Sequence, residues 1–232
     1  MALPKIELPL FELEIPSTKE KVKYRPFTVK EEKILLIAQE SGEMSQVILA
    51  VKQIVNNCVQ GVDVDELALF DLEYILLSLR VKSVSNQVKF SVTDPDTQKR
   101  VELELDLENV KLHEKEGHDK KIVINNDSYL LMKYPTVNQV MLLQNQKQSS
   151  ELLMDTMIAC IDKIISGDEI YHTKEFTKEQ LIEFLDTLPS STVKDLEDFF
   201  KTMPSMRHEI AYKNEKGEDK TFVIEGLQSF FL

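Results

Sequence analysis

Residues 86–107 read NQVKFSVTDPDTQKRVELELDL, and this stretch decides the fold class. Apolar residues alternate with polar ones on both sides of a central turn: Val88, Phe90 and Val92 before it, and Val101, Leu103 and Leu105 after it. A period of two is typical of strands with one buried face. The TDPD sequence at 93–96 is a strong turn signal. The stretch therefore predicts an antiparallel β-hairpin.

Three helices are predicted before this hairpin, because apolar residues recur there at helical spacing: 30–41, 44–59 and 67–84. Thr28 and Glu31 have the spacing of a capping box, which predicts the start of the first helix. Asp63 or Asp65 is the expected cap of the third helix. The chain thus changes from a helical period to a strand period at about residue 86.

After the hairpin, the charged residues 111–119 predict a surface loop. Further strands are expected at 121–124, 129–133, 207–213 and 221–225, and further helices at 136–143, 150–165, 178–188 and 193–202. Gly167 is expected to end the helix at 150–165, and Thr177 with Gln180 has the spacing of a capping box for the helix at 178–188. Helices and antiparallel strands are segregated along the chain, which predicts an α+β fold. We expect three segments: an extended N-terminal arm (1–27), helices with hairpins (28–134), and a helical region with a C-terminal hairpin and an apolar tail (135–232).

The two ends of the chain are candidate protein interfaces. The arm contains four prolines, and Ile6, Leu8 and Leu10 alternate with other residues, so we expect an edge strand or a strap. Whether the arm docks on its own chain, on a neighbouring copy or on a partner stays open. The tail ends on Phe230, Phe231 and Leu232, and burying each is worth about 1.5–3 kcal/mol. It is expected to dock either on its own core or on a partner.

Composition restricts the possible partners. The net charge of −12 argues against binding of nucleic acid through its phosphates. No apolar run approaches the length of a membrane span, and the first residues lack the pattern of a signal peptide. The two cysteines, Cys58 and Cys160, lie in apolar patterns read as helical and are expected to be buried and reduced.

The sequence nominates no catalytic, cofactor or metal site. The two predicted hairpins are similar in outline to zinc-ribbon arms, but their turns, TDPDTQ (93–98) and NEKGED (214–219), contain neither cysteine nor histidine. The fold is therefore described as degenerate zinc-ribbon-like, without zinc. His113 and His118 flank two glutamates in the charged loop, where we favour solvated side chains over an adventitious metal site. No nucleophile elbow or phosphate-binding loop is present.

Three stretches together resemble the baseplate hub assembly proteins of T4-like contractile-tailed phages. They are YRPFTVKEEKILLIAQESGE (24–43), GVDVDELALFDLEYILLSLRVKSVSN (61–86) and FFKTMPSMRHEIAYKNEKGEDKTFVIEGLQSFFL (199–232). The resemblance spans most of the chain in the same order. Some members of that family have CxxC knuckles in the hairpin turns, and this sequence departs from them there.

The resemblance implies a non-enzymatic protein of tail baseplate morphogenesis, whose partners are other hub or spike proteins. Such a protein acts in the host cytoplasm as a chaperone or scaffold, or it is a permanent subunit of the hub in the virion. A degenerate zinc-ribbon nucleic-acid binder and an unrecognised hydrolase are further hypotheses, which the acidic charge and the missing nucleophile disfavour. Homo-oligomerisation stays open.

Overall fold

The structure, a computed structural model, describes residues 6–145 and 150–226. The chain forms two compact units. Unit 1 comprises residues 1–113 and 205–232, and unit 2 comprises residues 114–204.

Unit 2 is an insertion in the chain of unit 1. It begins directly after His113 and ends directly before Ser205, and these two residues of unit 1 are antiparallel strand partners. The division of the sequence into segments 1–27, 28–134 and 135–232 stays a prediction. The two compact units have other boundaries, because unit 1 combines the two ends of the chain.

In the described residues the helices and strands follow one another in this order: β1 (Phe11–Glu14), β2 (Lys21–Tyr24), α1 (Val29–Ser41), α2 (Met44–Cys58), β3 (Val59–Gln60), α3 (Leu69–Ser83), β4 (Gln87–Thr93), β5 (Arg100–Asp106), β6 (Lys111–His113), β7 (Lys121–Val123), β8 (Ser128–Met132), α4 (Val137–Asn145), α5 (Ser150–Ala159), β9 (Ile161–Ser166), β10 (Glu169–His172), α6 (Lys178–Asp186), α7 (Ser190–Thr202), β11 (Ser205–Lys213) and β12 (Asp219–Glu225). The pairs between these strands are antiparallel. The predicted α+β class is confirmed.

The start of unit 1 is a hairpin, which the sequence did not predict. β1 and β2 pair with each other, and β2 also pairs with β3, so β1 is the edge strand of this sheet. The chain reverses at residues 16–19, where the Lys19 N–H donates to the Ile15 carbonyl oxygen at 2.8 Å and Lys19 has φ +63°. Pro9 and Pro16 lie on either side of β1, and prolines at such positions limit further pairing at a sheet edge.

The capping prediction for α1 is confirmed. Thr28 is its N-cap, and the Glu31 carboxylate accepts from the Thr28 backbone N–H at 2.8 Å. Gly42 ends the helix with φ +69°, a left-handed conformation that glycine adopts without steric cost. α2 follows at once as the second arm of a helical hairpin, and it buries an apolar face that includes Val51, Ile54 and Val55.

The predicted caps of α3 are wrong. The helix begins at Leu69 with Ala68 as N-cap, and neither Asp63 nor Asp65 caps it. Instead the buried Asp71 carboxylate, inside the first turn, accepts from the Ala68 N–H at 3.3 Å and from the Ser17 N–H at 2.9 Å. Asp71 thereby joins the β1–β2 turn to α3. The helix is buried on nearly all sides, as expected of a helix at the centre of a domain.

Both predicted long hairpins are present in the structure. Phe90 pairs with Leu103 between β4 and β5, and Ile210 pairs with Phe222 between β11 and β12. Their apolar faces share one core cluster with α3, comprising Leu77, Leu105, Leu107, Val110, Met206 and Ile224. β6 pairs with β11, so the predicted surface loop over 111–119 is wrong in its first three residues.

Unit 2 is built on the antiparallel sheet β10-β9-β8-β7, with helices packed around it. The predicted helix 150–165 is wrong in its second half, because α5 ends at Ala159 and β9 begins at Ile161. Isoleucine occurs at 161, 164 and 165, and this β-branched residue favours the strand that pairs with β8. Gly167, expected to end the helix, lies in the turn between β9 and β10 with φ +59°. The capping box of Thr177 and Gln180 at the start of α6 is confirmed.

Candidate protein-interaction site

The N-terminal arm exposes apolar side chains. Ile6 is 86% exposed and Leu10 is 55% exposed, while Leu8 is half-buried. The chain becomes anchored only from Phe11 onward, where the Phe11 and Tyr24 rings lie 5.7 Å apart and Leu13 is buried. The predicted tail residues Phe230, Phe231 and Leu232 lie outside the described residues.

The outer face of α1 is a second exposed apolar surface, and the sequence interpretation did not single it out. Residues 34–37 read ILLI, a run of four apolar residues that one helix face cannot bury together. Leu36 is 52% exposed and Ile37 is 69% exposed, and only Glu31 and Ala38 of this helix are buried. The run itself was the signal that could have indicated this surface.

A shallow groove of about 460 Å³ lies between α1 and α2. Ile37 and Ala38 line it from α1, and Leu49 and Ala50 line it from α2. Leu49 is 46% exposed. The two small alanines leave space between the helices, and the polar residues Ser41, Glu43, Gln46 and Gln53 complete the lining of the groove. Ile37 belongs both to the lining of the groove and to the exposed outer face of α1. We call this surface, comprising Leu36, Ile37, Ala38, Leu49 and Ala50, the α1–α2 face.

The inner side of α1 is held by polar contacts. The Glu31 carboxylate accepts hydrogen bonds from the Thr28 N–H, from the Thr28 hydroxyl at 2.5 Å and from the Arg25 guanidinium at 3.1 Å. Burial alone would raise the pKa of this carboxyl, but the hydrogen bonds and the positive charge of Arg25 outweigh burial and lower the pKa to about 2. The ionised Glu31 therefore joins the first turn of α1 to Thr28 and to Arg25.

In unit 2, His118 is part of a ring cluster, so its expected exposure in a solvated loop is wrong. Its ring stacks on Tyr134 and Phe199, with centroids 5.7 and 5.2 Å away. The Thr202 hydroxyl donates to the Asp198 carbonyl oxygen, so it can only accept from His118 Nδ1, at 2.9 Å. Nε2 then accepts from the Tyr134 hydroxyl at 3.1 Å. Burial is the largest of the effects that lower the pKa of this imidazole, so the neutral ring is favoured.

The other reactive side chains are engaged in packing. Cys58 and Cys160 are buried, as expected, and burial raises the pKa of these thiols to about 11 and about 12. Both are therefore protonated at neutral pH and poor nucleophiles. Cys58 is the last residue of α2, whereas Cys160 follows α5 and is not inside a helix.

The described residues offer neither a metal site nor a membrane-spanning helix. Across 6–145 and 150–226, no group of three or more His, Cys, Asp or Glu is placed to hold a metal ion. Over the same part of the chain, every helix is too short or too polar to cross a bilayer. What the described surface does offer is exposed apolar side chains on the arm and on the α1–α2 face.

Such a surface on an acidic α+β scaffold is typical of proteins that bind other proteins. The chain belongs to the family described as T4 bacteriophage base plate protein, which matches residues 8–232. Membership gives it a structural role in the phage tail baseplate, in contact with other baseplate proteins. Comparisons with curated proteins and with solved structures gave no match.

Proposed function

We propose that this baseplate protein acts in assembly of the baseplate hub, as a chaperone or scaffold for hub or spike components. The observation that carries the proposal is the exposure of Ile6 and Leu10 on an arm whose base is anchored in unit 1. Apolar side chains presented ahead of an edge strand are suited to a contact that forms by strand addition or by strapping. The tail residues Phe230, Phe231 and Leu232 are the second proposed contact.

The zinc-ribbon-like outline of the two hairpins belongs to the same proposal. At their tips the Tyr212 hydroxyl donates to the Asp94 carboxylate at 2.8 Å, and Lys220 forms an ion pair with Asp96. These contacts join the turn of the first hairpin to β11 and β12 of the second, close to its turn. The hairpins would thus serve as a stiff support for the partner-binding arm and tail without a bound metal.

The arm can be tested by co-expression with each hub and spike protein of the same phage. A variant that combines Ile6→Asp and Leu10→Asp should lose co-purification with its hub partner. The variant Val123→Asp, which changes a residue of unit 2 that is 57% exposed, is the matched control and should retain it. Retention of the partner by the arm variant, with an unchanged melting temperature, would remove the arm from the contact.

Virion composition distinguishes a transient assembly factor from a permanent hub subunit, the alternative role. Quantitative mass spectrometry of purified particles should find this protein absent, or far below the amount of the hub proteins, if it acts as a chaperone in the host cytoplasm. An amount equal to hub stoichiometry would refute the chaperone role and support the permanent subunit.

A further inference from the structure

The α1–α2 face lies between residues of opposite charge. Lys33 precedes Leu36 by about one helical turn, and Glu40 follows it by about one turn, so both lie beside the exposed Leu36 and Ile37. Both charged side chains are exposed, and neither takes part in a salt bridge with another residue that the structure describes. The apolar surface is thus positive towards one end and negative towards the other.

This arrangement is complementary to itself. If a second α1 lies antiparallel to the first, with the crossing point between Leu36 and Ile37, then Leu36 of each helix opposes Ile37 of the other. The same register places Lys33 opposite Glu40 of the other copy, and it does so twice because the arrangement has two-fold symmetry. Opposite charges beside an apolar contact favour this register over the parallel one, which would place like charges together.

We propose that the α1–α2 face is the contact through which two copies of this chain associate, with their α1 helices antiparallel. The groove between α1 and α2 supports the same arrangement. Ala38 and Ala50 leave room for side chains of the second α1, and the exposed Leu49 contacts them from α2. Two helical hairpins that meet in this way form a four-helix contact of the kind found in antiparallel bundles.

Apolar burial supplies most of the stability of this contact, and the charges supply its register. Exposed ion pairs contribute little and are screened by salt. The association should therefore survive moderate salt, whereas reversal of a charge should weaken it by placing like charges opposite each other.

The first experiment measures self-association of the purified full-length chain by sedimentation equilibrium. We expect a concentration-dependent dimer. Ile37→Glu should weaken it at least about tenfold, because each dimer would then bury two additional charges. Val84→Glu is the matched control, since Val84 is 63% exposed in the same unit and lies outside the α1–α2 face; it should leave the dimer intact. A monomer at all concentrations up to about 100 μM would overturn the proposal, as would a dimer insensitive to Ile37→Glu.

The second experiment tests the register. Lys33→Glu alone places two glutamates opposite each other, and Glu40→Lys alone does the same with two lysines, so each variant should associate more weakly than the wild type. An equimolar mixture should associate more tightly than either variant alone, because residue 33 of one variant then meets an opposite charge at residue 40 of the other. A mixture that associates no more tightly than the separate variants would refute the antiparallel register. If the wild type is monomeric and Ile37→Glu instead blocks binding of another baseplate protein, the face serves a different partner and the proposal is wrong.

Discussion

Replacing the buried Glu31 by glutamine tests whether an ionised carboxylate holds α1 in place. The side chain is only 2% exposed and accepts three hydrogen bonds, two from Thr28 and one from Arg25. Glutamine has nearly the same shape but has no charge, and only one of its two terminal atoms can accept. The substitution therefore removes the charge while the surrounding packing is largely preserved.

The expected magnitude follows from the pKa. It falls from 4.5 to about 2 on folding, and one pKa unit corresponds to about 1.4 kcal/mol, so the ionised form stabilises the fold by about 3 kcal/mol at pH 7. Because the folded pKa is the lower one, this contribution is fully present above about pH 4.5. It is lost as the pH falls towards 2, and about 2 kcal/mol should already be lost at pH 3.

The assay is urea unfolding followed by circular dichroism at several pH values between 3 and 7. Glu31→Gln should be less stable than the wild type by about 1–3 kcal/mol at pH 7, and the difference should stay nearly constant down to about pH 4.5 and shrink below it. Glu32→Gln, which changes the exposed neighbour in the same turn, is the matched control and should follow the wild type. A difference between wild type and Glu31→Gln that is constant with pH would refute a stabilising role for the charge.

Two further predictions concern unit 2. The pKa of His118 is lowered in the fold, so the contribution of its neutral ring to stability is fully present above about pH 6.5 and is lost as the pH falls below that value. His118→Phe should therefore make the free energy of unfolding depend less on pH between pH 7 and 5. An unchanged pH dependence in this variant would assign it to other groups. Replacing residues 114–204 by Asn-Gly should leave unit 1 folded, because His113 and Ser205 are already antiparallel partners that a two-residue turn can join. Loss of cooperative unfolding in this shortened chain would show that unit 1 depends on the insertion.

The elements that the sequence predicted correctly are those whose determinants are local. The capping boxes of α1 and α6 each require two residues three positions apart, and the β4–β5 turn is fixed by its own TDPD sequence. In that turn the Asp94 carboxylate accepts from the N–H groups of Asp96 and Thr97, so the turn is stabilised by residues two and three positions apart. Determinants of this range are visible in a short window of sequence.

The elements that were missed depend on partners far away in the chain. β9 continues an apolar pattern that also fits a helix, and pairing with β8 decides in favour of a strand. β6 lies in a highly charged stretch, and only its pairing with β11, more than ninety residues later, identifies it as a strand. Asp71 replaces the expected local caps of α3 because it also binds Ser17, a contact that no pattern around residue 71 could indicate.

Of the candidate interaction surfaces, the sequence interpretation singled out only those at the two ends of the chain. The alternation of Ile6, Leu8 and Leu10 indicated an extended apolar arm, and the exposure of Ile6 and Leu10 is consistent with that interpretation, while its role as an interface stays a prediction. The ILLI run at 34–37 indicated more apolar side chains than one helix face can bury, but it did not show which of them stay exposed, because the buried side of a surface helix is normally its apolar side. In α1 a glutamate occupies the buried side, which only tertiary structure can reveal.

The polar inner side and the apolar outer side of α1 have a common consequence. Because Ala38 is the only fully buried apolar residue of this helix, its attachment to unit 1 depends strongly on Glu31. A second copy that covers Leu36 and Ile37 would bind only the chain in which α1 is in place, so association would stabilise α1 by mass action. Glu31→Gln should then weaken dimer formation, because only the fraction of chains with α1 in place can associate. The destabilisation that it causes should therefore increase as protein concentration rises through the range of dimer formation. In the Ile37→Glu background the same substitution should cost an equal amount at every concentration, which links the anchoring of α1 to the proposed contact between copies.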